Sequence, residues 1–524
     1  MSKFVKYNSY IIFIVSFLLC TSFVGLYPIY ILDEARNAEA AREMLESGNF
    51  IVPYFNGQLR TDKPPLHYFF MILGYKLFGV NALGARFFSG IFGALTIMAT
   101  YSCVKRSADI KQAIICTLVL LSSLFFVQEF HLAVPDPYLI FFVSASLFAF
   151  YVFYESNQKR WLWAMYVLIG LGIMTKGPIT LVLPGIIIPT FLLFKKHLSL
   201  KYLWGLSPFV GLLLILVITV PWYYAVHIRT DGEWTTGFFL DHNISRFGSE
   251  KEGHGGLFFI TPLYVILGLL PFSVFIVQSF RNAWLERNTN NFVLISFVVS
   301  TTTIIFFSIS GTKLPNYPMP CYPFVAVMMA TYFKKILDES KRTVYTIWSL
   351  LFLLFISIVL PIGGFIALTF EMQFFSVRYI SLFLLILTVT SLIALHFYKK
   401  NSLKKAFISI ALGWIFTGIS LFGAIYPVLT KRSPVTLASR FLDTDSKVIV
   451  YKRFDSAFPI NFKRTYEVVD SIVLLDVFLE NNPNGYIITN TKKKDDLKRL
   501  SKYRLVLEQK ALFEDHITRI YSKY

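Results

Sequence analysis

The chain has 524 residues, of which 55% are hydrophobic and only 15% charged; its mean hydropathy is +0.58, and a soluble domain carries roughly 25% charged residues. These values exclude a soluble enzyme and define a protein that crosses a membrane many times. The net charge of +19, from 50 basic and 31 acidic residues, does not mark a nucleic-acid binder, because basic residues gather in the cytoplasmic loops of membrane proteins. Cys20, Cys103, Cys116 and Cys321 all fall in apolar stretches and form no Cys-x-x-Cys pair, so they read as small buried hydrophobes rather than disulfides or metal ligands.

In chain order, apolar runs long enough to cross a bilayer fall near 9–31, 82–104, 112–128, 137–154, 161–175, 178–194, 203–227, 257–280, 292–310, 317–333, 344–369, 375–398 and 405–427. The reading is an all-α polytopic protein of about thirteen spans. The first run lacks a small-residue cleavage pattern and reads as an uncleaved span. Residues 66–79 are apolar but short and interrupted by Lys76, which predicts a helix at the membrane surface. With the N-terminus inside, basic clusters such as Lys105/Arg106/Lys111 and Lys399/Lys400/Lys404/Lys405 fall on the cytoplasmic side. The odd number of spans then puts residues 428–524 outside. That last segment reads as a small α/β domain, with strands at 448–451, 485–490 and 503–509 and helices at 471–482 and 491–503.

Acids concentrate on the outer face, in two long loops (32–81 and 228–256) and a short link at 129–136. The first loop opens with "DEARNAEAAREMLESG" (33–48), a polar amphipathic helix whose apolar side carries Ala35, Ala38, Ala41, Met44 and Leu45. A solvated surface helix with internal ion pairs explains it as well as a functional role for Asp33 and Glu34, which also suit the positive end of the helix dipole. "TDKPPL" (61–66) is stiff, since two prolines fix φ and remove amide donors. Neighbouring side chains of an extended segment point opposite ways, so Asp62 and Lys63 have different partners, a metal for one and an anion for the other. The bland alternative is a stiff turn with the two side chains paired. "VPDPYL" (134–139) places Asp136 at a span entrance, where an N-cap with Pro137 at N1 is the ordinary explanation. "DHNISRF" (241–247) offers His242 as a metal ligand and Arg246 as a phosphate binder. Lys176 in "TKGP" and Lys313 in "GTKLPNYPMPCYP" face an anionic headgroup or snorkel at the interface. Nucleotide-binding and soluble-hydrolase motifs are absent from the sequence.

This set of motifs, in this order over residues 10–330, resembles the lipid A aminoarabinose transferases and the wider protein O-mannosyltransferase-like GT-C glycosyltransferases. The resemblance implies a GT-C fold with about thirteen spans and a sugar donor carried on a polyprenyl phosphate, usually undecaprenyl phosphate. It implies an acceptor outside the cytoplasm: lipid A, another glycan or a protein. Asp33 matches the acid that orients or deprotonates the acceptor, with Glu34 beside it. Lys63 and Arg246 match the groups that hold the lipid phosphate, and Arg36 and Lys313 are counted with them. Asp62, Asp136 and His242 match positions of divalent-metal ligands (zinc, magnesium or manganese). No nucleotide and no nucleic acid are implied; the donor, the acceptor and membrane lipids are the partners. Asp62 replaces the Glu usual before this lysine in the enteric aminoarabinose transferases. The expected site is a bacterial inner membrane, with the N-terminus cytoplasmic and residues 428–524 extracytoplasmic. A flippase for a lipid-linked intermediate and a scaffolding protein are the alternatives from other classes; the first predicts broken mid-membrane helices or internal repeats, and the sequence shows no clear repeat.

Overall fold

The computed structural model describes residues 2–245, 255–339, 343–512 and 514–523. The chain is a multi-span membrane protein: among the described residues, seven helices are long and apolar enough to cross a bilayer, or eight if one bent pair is a single span. Four shorter apolar helices join them: Ser9–Cys20, Leu66–Phe78, Ile110–Ser122 and Ile179–Phe194.

Several expected runs are interrupted. The first helix, Ser2–Cys20, stops well short of residue 31. The run at 112–128 breaks at Ser123 into Ile110–Ser122 and Leu124–Glu129. The run at 257–280 bends by 117° between Ile260–Gly268 and Phe272–Glu286. Gly268 sits at that bend because a Cβ there would meet the Tyr322 hydroxyl at 2.1 Å, and that hydroxyl is needed to donate to the Tyr264 carbonyl at 2.9 Å. Helix starts follow ordinary capping chemistry. Asn81 accepts from the Gly84 amide at 2.9 Å, and Asp109 accepts from the Gln112 amide at 2.8 Å while its second oxygen pairs with Lys334.

The segment after residue 433 carries a five-stranded sheet. After the first-loop hairpin β1 (Tyr54–Phe55) and β2 (Gln58–Leu59) come β3 (Val448–Tyr451), β4 (Val468–Val469), β5 (Tyr486–Thr489), β6 (Arg504–Lys510) and β7 (Ile517–Ser522), ordered β4-β3-β5-β7-β6. β3 pairs in parallel with β4 and β5, and β7 pairs antiparallel with β5 and β6. Alternation along the strands splits the burial between two faces. Ile449, Tyr451, Ile487 and Tyr521 pack against helix Ile472–Asn481. Val450, Ile488 and Ile520 pack against helix Ala457–Phe462 and the first-loop helix Leu32–Ser47.

That first-loop helix is therefore not a solvated surface helix. Ala35, Ala38, Ala41 and Met44 belong to one hydrophobic cluster with Tyr68, Met71 and Tyr75 of helix Leu66–Phe78 and with Phe458 and Ile460 beyond residue 433. Its polar residues are buried too: Glu34, Asn37, Glu39 and Arg42 are all nearly inaccessible. Alanine's small side chain lets two layers approach from opposite sides, and the charges are tolerated because they are paired. Arg42 binds Glu39 at 2.5 Å, and Glu34 binds Arg86 at 2.6 Å.

Candidate active site

The rigid segment before the helix Leu66–Phe78 supplies the centre of the site. The Pro53 carbonyl accepts from the Arg60 amide at 2.9 Å, closing the β1–β2 hairpin. Arg60 then spreads its guanidinium over Asn37 (3.2 Å), the Tyr68 hydroxyl (3.2 Å) and Asp62 (2.9 Å). Its carbonyl accepts from the Trp234 indole at 2.9 Å. The second Asp62 oxygen lies 2.7 Å from His242 Nε2. Burial alone would raise the Asp62 carboxyl, but the His242 hydrogen bond and the charges of Arg60, Lys63 and His242 hold it far below the ordinary carboxylate range. The carboxylate oxygens of Asp62 thus go to His242 and Arg60, as opposite-pointing neighbours in an extended segment require.

His242 lies on a π-helical segment, Gly237–Ile244. π-Helical turns often mark functional sites. Two close approaches fix this segment: a Cβ on Gly237 would meet Thr61 at 2.8 Å, and a Cβ on Gly177 would meet the Phe238 ring at 2.5 Å. Gly177 also has φ +84°, in the left-handed region. The outer turn "TKGP", the "TDKPPL" segment and the π-helix are thereby locked together.

Between them lies a cavity of about 540 Å³, a normal size for a ligand pocket. Its polar lining includes Asp62, Lys63, Lys176, His242, Asn243 and Tyr317, and its apolar lining Leu139, Ile179, Val182, Phe238, Phe239 and Phe307. Val182 and Phe239 are exposed, so the apolar lining reaches the surface of the helix bundle. Lys176 binds Asp136 at 2.5 Å and lies 5.1 Å from the Tyr317 ring centroid. Burial lowers the Lys176 ammonium, yet Asp136, Tyr317 and Glu129 together raise it, so it stays charged.

The residues expected from the sequence separate into those in this cavity and those outside it. Lys63, Asp62 and His242 line it. Asp33 is exposed in the first turn of the first-loop helix and acts electrostatically on Arg60. Arg36 is half-buried on the same helix. Glu34 is not available for catalysis: it is fully buried, holds Arg86 through both oxygens and accepts the Ala133 amide at 2.9 Å. Lys313 is buried and donates to the Ser310 carbonyl at 2.7 Å; Ser310, not Lys313, lines the cavity. Arg246 lies outside the described residues. Asp136 is the first residue of its helix, with Pro135 rather than Asp136 at the N-cap; its carboxylate binds Lys176.

The three expected metal ligands are not assembled as a set. Asp136 turns to Lys176 and Asp62 is shared by His242 and Arg60. Among the described residues, no three His, Cys, Asp or Glu side chains converge. Among the described residues the donor set does not fit a three-ligand site. Arg60 and Tyr317 escaped the sequence reading. Arg60 was accessible in principle, because residues i and i+2 of an extended segment share a side and Arg60 stands two before Asp62.

A model of the dolichyl-phosphate-mannose-protein mannosyltransferase family matches residues 62–224. The chain is 29% identical to the undecaprenyl phosphate-alpha-4-amino-4-deoxy-L-arabinose arabinosyl transferase 2 of Pseudomonas fluorescens, over 61% of this chain and 57% of that protein. It is 30% identical to the corresponding transferase of Pseudomonas aeruginosa, over 58% of this chain and 55% of that protein. An uncharacterized protein of Aquifex aeolicus is 29% identical over 63% of this chain and 64% of its own length. The chain thus spans between 55% and 64% of these curated relatives. Among solved structures, ArnT of Cupriavidus metallidurans bound to undecaprenyl phosphate superimposes with a TM-score of 0.79 at 19% identity, covering 98% of this chain and 97% of that one. The oligosaccharyltransferase AglB of Archaeoglobus fulgidus gives 0.51 at 12% identity, covering 93% of this chain and 70% of that one.

A helical membrane bundle whose long loops fold back over a cavity, with a small sheet beyond it, is the GT-C fold. Within that class the chain shares its fold with ArnT of Cupriavidus metallidurans and is similar, over part of its length, to the dolichyl-phosphate-mannose-protein mannosyltransferase family and to the arabinosyl transferases of the two Pseudomonas species.

Proposed function

We propose that the protein is an integral-membrane glycosyltransferase that moves a sugar from a polyprenyl-phosphate carrier to an acceptor outside the cytoplasm. The observation that carries this reading is the mixed lining of the cavity: the half-buried Lys63 and Lys176 among its polar groups, and an apolar lining that reaches the bundle surface at Val182 and Phe239. A polyprenyl phosphate joins an anionic head to an apolar tail. The relatives' arabinosyl transferase names support an aminoarabinose-like sugar on undecaprenyl phosphate; a hexose donor, and lipid A, another glycan or a protein as acceptor, belong to the same reaction class. The positive-inside pattern of the loops supports a cytoplasmic N-terminus and an extracytoplasmic sheet domain in a bacterial inner membrane.

In this reading the phosphate sits against Lys63 and Lys176, with the Tyr317 hydroxyl beside them. As the bond from the anomeric carbon to the phosphate oxygen breaks, negative charge develops on the leaving phosphate. The two ammonium groups stabilise that charge from positions already fixed by Asp136 and the hairpin. Asp62 binds no substrate; it holds His242 and the π-helix against the cavity. Asp33 orients the acceptor, and for a hydroxyl acceptor takes its proton. A single displacement inverts the anomeric configuration. The test is transfer by purified protein from an undecaprenyl-phosphate-linked sugar, alongside Lys63→Ala and Asp33→Ala. Loss in Lys63→Ala through weaker donor binding, and in Asp33→Ala through slower turnover, is expected. Full activity in both overturns the site.

A further inference from the structure

The sheet domain touches the two segments that carry the site, and it does so with directional hydrogen bonds. The tip of the β1–β2 hairpin is Asn56-Gly57, both with positive φ (52° and 73°), the sequence favoured for a tight two-residue turn. Asn56 reaches across to the sheet domain: its side-chain amide donates to the Tyr466 carbonyl at 3.0 Å, and its side-chain oxygen accepts the Tyr466 amide at 2.7 Å. The pair copies the exchange between two strands. Phe55 stacks on Phe454 beside it, with ring centroids 6.3 Å apart. The hairpin ends at Leu59, and the next residue is Arg60, whose guanidinium orients Asp62. A short, closed lever thus runs from Tyr466 to the cavity wall.

A second grip lies ahead of Asp33. Asn461 donates to the Ile29 carbonyl at 2.7 Å, four residues before Asp33. Between the two grips, the first-loop helix shares its hydrophobic core with the sheet domain. Loss of these contacts frees the segments bearing Asp33 and Lys63 but leaves the membrane helices intact.

We propose that the outer sheet domain is a positioning element of the active site, acting through Asn56 on the donor-binding segment and through Asn461 on the acceptor-side helix. The proposal rests on the polyprenyl-phosphate reading above, but its first test does not. Asn56→Gly removes both hydrogen bonds and suits the left-handed turn, so the hairpin closes as before. Hydrogen exchange on the full-length protein should show faster exchange at residues 60–63 in this variant. Unchanged exchange there overturns the proposal whether or not any lipid binds. Undecaprenyl phosphate then serves as the probe of consequence. Asn56→Gly should weaken its binding about tenfold, because small displacements of positioning groups are costly. Asn461→Asp keeps the side chain's size but not its donor. It should leave that affinity unchanged and slow sugar release from an undecaprenyl-phosphate-linked sugar about tenfold. A general loss of fold would lower the melting midpoint and both readouts together in both variants, and that pattern also overturns the proposal. Failure of the wild-type protein to bind the lipid, with exchange changed as expected, overturns the donor assignment alone.

Discussion

Replacing Glu34 distinguishes a buried structural pair from a catalytic acid. Both oxygens of Glu34 bind Arg86, at 2.6 and 2.9 Å, and one also accepts the Ala133 amide. Arg86 in turn donates to the carbonyls of Val24 (2.7 Å), Tyr27 (2.9 Å) and Pro28 (3.2 Å). Neither partner is accessible to water. Glu34→Ala leaves a buried guanidinium with only neutral acceptors, which costs about 3–5 kcal/mol. The orphaned Ala133 amide is part of that cost. Glu34→Gln keeps one acceptor and should lose less, about 1.5–3 kcal/mol, the worth of a hydrogen bond to a charged group. The assay is a thermal melt in detergent, followed by turnover per folded molecule. A clear fall in melting midpoint in the order Ala, Gln, wild type is expected, with turnover retained in the folded fraction of Glu34→Gln. A Glu34→Ala protein that melts like wild type but has no turnover would falsify the structural role.

Other outcomes follow from the same geometry. Lys176→Ala strands Asp136 and removes a charged contact to the donor phosphate, so undecaprenyl phosphate binding should weaken about ten- to hundredfold; unchanged affinity would contradict the phosphate assignment. Gly177→Ala meets both a φ of +84° and a Phe238 ring 2.5 Å from the new Cβ. It should cost about 1–3 kcal/mol and reduce lipid binding, and a neutral melt would show that the turn tolerates a side chain. His516 lies between Asp455 (3.3 Å) and Glu514 (3.0 Å). Burial alone would lower its imidazolium, but these two carboxylates raise it to about 9. Because that value lies above the unfolded one of about 6.5, its stabilisation is full below about 6.5 and is lost as pH rises through about 9. The melting midpoint of the sheet domain should fall across that window, and His516→Gln should flatten the fall.

How much of this was readable in the sequence depends on how local the cause is. The long apolar runs give their helices because twenty apolar residues decide their own environment. The break after Gly268 has a local cause in Pro271, which cannot continue the helix, while the need for glycine at 268 comes from Tyr322, distant in sequence. The strands at 448–451 and 485–490 appear as Val448–Tyr451 and Tyr486–Thr489, while β4 and β7 are too short or too polar to stand out. "TDKPPL" announced a stiff segment, since two prolines fix φ, and the Asp62 carboxylate in it binds Arg60 and His242. Glu34 misled because its partner Arg86 is 52 residues away and nothing near residue 34 shows it. The helix that carries Arg42 and the alanines read equally well as a solvated surface helix because part of its cover lies some 400 residues later, as the contact from Arg42 to the Lys463 carbonyl shows.

The central claim concerns covalent transfer from a lipid phosphate, and the most direct measurement follows the lipid. Purified protein in liposomes would be given an undecaprenyl-phosphate-linked sugar and an envelope-lipid acceptor, and the lipid products resolved by mass spectrometry. The account predicts free undecaprenyl phosphate and a sugar-bearing acceptor in equal amounts, both suppressed by Lys63→Ala. A donor recovered intact, moved from one leaflet to the other, would contradict it.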